Sequence, residues 1–63
     1  MTTVEKAIES GYEAQISALY NALSQGVLAA NGDESEITAA EARFKKGLAF
    51  AADIKARALA AAE

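Results

Sequence analysis

The sequence predicts an all-α protein, an antiparallel two-helix hairpin that pairs with a second copy as a four-helix bundle. Three observations carry that prediction. Helix-forming residues run without a proline through the whole chain. Turn chemistry displaces them only once, at Asn31-Gly32-Asp33-Glu34 near the midpoint. On either side of that turn the apolar residues recur with the period of a helix.

The first helix is expected over residues 3–30. Thr2 followed three residues later by Glu5 has the form of a capping box, in which side chain and backbone satisfy each other's first-turn donors. With successive residues about 100° apart, Tyr12, Leu19, Leu23, Val27 and Ala30 fall within roughly 60° of Ile16, with Ile8 and Gly26 at the edge. Gly11 and Gly26 each cost about 1 kcal/mol against alanine in a helix interior. Gly26 borders the apolar stripe, where a missing side chain lets another backbone approach closely. Gly11 lies on the far side and has no packing role in the pattern.

Asn31-Gly32 should end this helix, because glycine tolerates the left-handed conformation that closes many helices. Asp33 or Ser35 can cap the next one, with Glu36 adding a box-like partner to Asp33. The turn is thus expected over residues 31–35, and connections that short join antiparallel neighbours.

The second helix is expected over residues 36–62. Its stripe, counted from Phe44, holds Ile37, Ala40, Gly47, Leu48, Ala51, Ala58 and Leu59, with Ile54 at the margin. Half of those positions besides Phe44 are alanine or glycine. Seventeen alanines in the chain favour helix and let helix axes come closer than leucine-rich seams allow.

A chain of 63 residues forms one domain and buries only about 60% of its unfolded surface. Disulfides, a structural metal or oligomerisation usually make up that deficit. There is no cysteine for a disulfide and no histidine, the commonest metal ligand. Self-association is left. Leu28 and Phe50 lie about 120° off their stripe centres, where one hairpin leaves them wet and a second covers them. The expected core and oligomer interface is Tyr12, Ile16, Leu19, Leu23, Val27, Ile37, Phe44, Leu48, Phe50, Ala51 and Ile54.

Net charge is −3, with Glu5, Glu9 and Glu13 early and five of the six basic residues in the last third. That polarity suits the helix dipoles and makes the two free ends complementary in an antiparallel hairpin. No apolar run approaches a membrane span, and Met1-Thr2-Thr3-Val4-Glu5-Lys6 lacks the basic start and apolar block of a signal peptide. A cytoplasmic location is the expectation.

Three constellations invite a chemical reading. Asn31-Gly32-Asp33 followed by Ile37 and Glu41 suggests a calcium loop, which needs oxygen ligands at positions 1, 3 and 5, glycine at 6 and glutamate at 12. Placing Glu41 at position 12 puts Ala30 at 1 and Gly32 at 3, while placing Asn31 at 3 puts Ala40 at 12. Neither register works, so the turn is read as plain geometry. The second constellation is the row Glu5, Glu9, Glu13, whose spacing by four sets the carboxylates on one helix face. Di-iron bundles require histidine beside such glutamates, and none is present. Glu9 falls within the apolar stripe, as does Lys55 on the second helix. In a hairpin turning near residue 33, facing numbers sum to about 65, so Glu9 and Lys55 are expected to form an ion pair that fixes register.

The third is Arg43, Lys46, Phe50 and Arg57, on one side of the second helix, where an aromatic among bases can stack on nucleobases and hold phosphates. Asp53 interrupts that face, and the acidic total opposes it. Serine and threonine lack a histidine base and there is no glycine-rich phosphate loop, so no enzyme activity, cofactor or small-molecule substrate is expected.

In plan, through length, turn position and pattern, the chain resembles small antiparallel hairpins that dimerise into four-helix bundles, such as the plasmid copy-number regulators of the Rop type. No RNA-binding motif aligns, and none is carried over. The expected function is that of a homo-oligomeric structural or protein-interaction module. The alternatives are a small nucleic-acid-binding regulator using the basic side of the second helix, and a helical subunit of a larger assembly such as a virion.

Overall fold

The computed structural model describes residues 2–63, so Met1, the first residue of the single expected unit, lies outside it. Two helices of 28 residues each, α1 (Thr3–Ala30) and α2 (Glu34–Ala61), pack against each other as an antiparallel hairpin.

Each boundary has a local chemical cause. At the start of α1, Thr2 Oγ1 accepts from the Glu5 N–H at 3.1 Å while Glu5 Oε1 accepts from the Thr2 N–H at 3.2 Å, a reciprocal capping box. At its end, Asn31 (φ 49°) and Gly32 (φ 87°) both adopt positive φ, and the Asp33 N–H donates to the Ala30 carbonyl at 2.9 Å. Positive φ at both central residues marks a turn of type I′, for which Asn-Gly is the favoured pair. The reversal closes within two residues, and the next cap follows at once. Asp33 Oδ1 accepts from the N–H groups of Ser35 at 3.0 Å and Glu36 at 3.3 Å. Helix α2 therefore begins at Glu34 rather than at residue 36, and it ends at Ala61, with Ala62 as its cap.

The inward positions recur every seven residues. On α1 they are Glu5, Tyr12, Leu19 and Gly26 alongside Glu9, Ile16, Leu23 and Ala30; on α2 they include Ile37, Phe44, Ala51 and Ala58. A seven-residue repeat is the period of a left-handed coiled coil. What the seam buries completely is small: Ala30, Ala40 and Ala51 are 0–5% exposed, and no large side chain among the described residues is fully buried. Tyr12, Ile16, Leu19, Leu23, Ile37, Phe44 and Leu48 are half-buried.

Two glycines set the closeness of the seam. A Cβ at Gly26 would stand 3.0 Å from the Cβ of Ala40, and one at Gly47 would collide with Leu19 Cδ2. Gly26 is thus a point of close backbone approach, and Gly47 is a socket for Leu19. Gly11 has open space around it.

The result is a rod. Its Cα extents are 46 × 15 × 11 Å, and its radius of gyration is 14.6 Å where a compact domain of this length has roughly 11 Å.

Candidate association surface

The residues singled out from sequence separate into three places. Glu9 and Lys55 meet across the seam, Lys55 Nζ lying 2.6 Å from Glu9 Oε2 with both side chains about one-third exposed. Lys55 Nζ also stands 4.7 Å from the centre of the Tyr12 ring, within range of a cation–π interaction. The hydrogen bond to Glu9 holds the Lys55 ammonium above the ordinary lysine range, against a smaller effect of desolvation. Tyr12 as a partner of Lys55 was not anticipated. The signal was present: Tyr12 is one turn beyond Glu9 on the same face, so any residue opposite one is near the other.

The acidic row is divided among separate tasks. Glu5 closes the capping box, Glu9 pairs with Lys55, and Glu13 is exposed. The turn carboxylate is also engaged locally. Asp33 Oδ1 accepts from the Ser35 hydroxyl at 2.8 Å as well as from the two backbone N–H groups. The Ser35 hydroxyl, followed by those N–H groups, holds the Asp33 carboxyl below the ordinary aspartate range.

On the basic side of α2, Arg57 Nε donates to Asp53 Oδ2 at 2.8 Å, one turn away on the same helix. Arg43 reaches over Gly26, its guanidinium 3.7 Å from where a Cβ there would lie. Lys46 is exposed, and Phe50 is 59% exposed. Three members of the expected core and interface set lie outside the seam of the single hairpin: Phe50, Ile54 (40% exposed) and Val27 (38%). For Val27 the cause is angular. It sits about 60° from the inward direction of α1, and the narrow alanine seam covers less of the arc than a leucine seam would.

The two long faces of the rod differ in charge. Shallow grooves identify which flanks share a face. One, of about 230 Å³, brings Ile8, Gly11 and Gln15 of α1 beside Ile54, Lys55 and Ala58 of α2. The other, of about 140 Å³, brings Ala22 beside Arg43. On this face the α1 flank reads Val4, Ile8, Gly11, Gln15, Ala18, Ala22 and Ala29, without a single charge, and Phe50 and Ile54 stand along the α2 edge among Glu36, Arg43 and Arg57. The opposite face carries Glu13, Glu41 and Lys45, and the Glu9–Lys55 pair lies in the seam between the two faces. No helix among the described residues is long and apolar enough to cross a membrane.

Comparison with protein families, with curated proteins and with solved structures finds no match to this chain. The resemblance in plan to the copy-number regulators accordingly rests on length, turn position and pattern alone.

Proposed function

We propose that this protein is a homo-oligomeric structural and protein-interaction module, in which two hairpins pack side by side as a four-helix bundle. The observation that carries this is surface area. A compact monomer of 6.5 kDa exposes roughly 3,800 Å², whereas the hairpin exposes 4714 Å², an excess on the order of 900 Å². One partner in a standard protein interface buries about 800 Å². The excess is therefore about the area that a single partner would cover. Exposed apolar side chains available to such a partner include Phe50 and Ile54, and each would be stabilised by leaving water.

The nucleic-acid alternative has weaker support. Arg57 is already held by Asp53, so a phosphate would have to displace a carboxylate to use it. The remaining bases, Arg43 and Lys46, flank one aromatic on a chain of net charge −3. Such binding would also be steeply salt-dependent, which a gel shift with RNA or DNA at two salt concentrations detects.

The association itself is tested by thermal unfolding followed by circular dichroism from about 1 to about 200 µM chain. Because assembly and folding are linked, the melting temperature should rise with concentration. A melting temperature constant across that range would defeat the proposal.

A further inference from the structure

The geometry points to one particular face as the mating surface: the side of the rod whose α1 flank is uncharged, bearing Gly11, Ala18 and Ala22 on α1 with Phe50 and Ile54 on α2, occupied by a second copy of this chain. The inference rests on the homo-oligomeric reading above and specifies it. Three features of the structure select this face and this occupant.

The first is charge. Burying an unpaired ion is far more costly than burying an alanine, and the α1 flank of this face carries no ion along its whole length, while the α2 edge carries Glu36, Arg43 and the Asp53–Arg57 pair, whose charges already match each other. The opposite face would bury Glu13 on its α1 flank and Glu41 and Lys45 on its α2 flank. The second is relief. Facing positions of the hairpin have numbers that sum to about 65, as Glu9 with Lys55 and Gly26 with Ala40 do, so Ile54 stands level with Gly11 and Phe50 with Gln15. At Ile54 the α2 edge is thus raised beside a low point of the α1 edge, at Gly11. A two-fold-related copy offers the same high and low edges, which is the self-complementarity that an isologous dimer requires. It also gives Gly11 a use that the lone hairpin does not, since the space beside it is open. The third is area. The rod measures 46 by 15 Å between Cα atoms, on the order of 700 Å² per long face, close to the roughly 800 Å² that a standard interface takes from each partner.

The chain contains no cysteine, so one introduced thiol reports on one place. Ala22→Cys lies on the proposed face and Ala52→Cys on the opposite one, and both residues are exposed in the hairpin. Each variant is alkylated with N-ethylmaleimide from about 1 to about 200 µM protein, with helix content checked by circular dichroism. The thiol of Ala22→Cys should react about tenfold more slowly at the upper concentration, as association depletes free monomer, while that of Ala52→Cys keeps its rate. Protection of Ala52→Cys instead, or of both equally, overturns the choice of face and leaves self-association standing. Protection of neither overturns both.

Discussion

Exchange of one methyl group across the seam tests the packing most sharply. In Gly26→Ala the new Cβ stands 3.0 Å from the Cβ of Ala40, well inside the 3.5–4.0 Å at which carbon atoms attract. Neither atom can rotate away, since both are fixed to their backbones, so the helices must separate. Overpacking of this kind costs about 1–3 kcal/mol, against about 1 kcal/mol gained by replacing a helical glycine. The single variant should lose up to about 2 kcal/mol. Ala40→Gly loses the propensity and a buried methyl, together also about 2 kcal/mol. In the double variant the methyl has moved from one helix to the other and the collision is gone, so its stability should return to within about 1 kcal/mol of the parent. Urea unfolding followed by circular dichroism, at one protein concentration for all four proteins, gives the coupling energy. With the single losses summing to about 2–4 kcal/mol and the double variant near the parent, the expected value is about 2–4 kcal/mol. A coupling below about 0.5 kcal/mol, the range of independent sites, would refute the claim that this contact sets the helix separation.

Three further outcomes follow from the same contacts. Glu9→Lys and Lys55→Glu should each lower the melting temperature, and the exchange of both should recover most of the loss, the Tyr12 contact of Lys55 being the part not restored; an exchange as unstable as the two singles combined would discard the pairing. Stability should decline at both ends of the pH scale. Asp33, with its depressed carboxyl, contributes above about pH 3.9 and loses that contribution as pH falls through its lower folded value. Lys55, with its raised ammonium, contributes fully below about pH 10.4 and loses it as pH climbs through its higher folded value. Asp33→Asn should therefore make the acid decline of the melting temperature shallower and Lys55→Met the alkaline one, and profiles parallel to the parent would contradict both assignments. Phe50→Lys should weaken self-association, whereas Leu28→Lys should leave it unchanged, contrary to the expectation that a second hairpin covers both: Leu28 is 81% exposed and, though about 120° from Ile16, stands some 160° from Gly26 and Ala30, the seam residues beside it, on the back of α1. Light scattering of both variants decides, and equal effects would count against the proposed face.

The hairpin was legible because its cues are local. Thr2 and Glu5 are three residues apart, Asn31-Gly32 suits one turn type, and the pairing of Glu9 with Lys55 follows from arithmetic once the turn is located. One thing escaped because it depends on the distance between helices. The wheel that placed Val27 in the stripe and Ile54 at its margin cannot tell how wide a seam is, and that width comes from Gly26 meeting Ala40 and Leu19 entering the gap at Gly47. The second helix starts earlier than expected because Asp33 and Ser35 were both competent caps, and only the two-residue reversal chooses the nearer. The asymmetry of the two faces was hidden for a similar reason. Reading it requires knowing which flank of α1 adjoins which flank of α2, a matter of handedness that no single-helix periodicity contains.

The central claim, that one hairpin leaves a partner's worth of surface exposed and a second copy covers it, is tested most directly by sedimentation equilibrium of the unmodified chain at micromolar concentration. A folded species of twice the chain mass is the predicted result. A folded, fully helical species of single chain mass would contradict it.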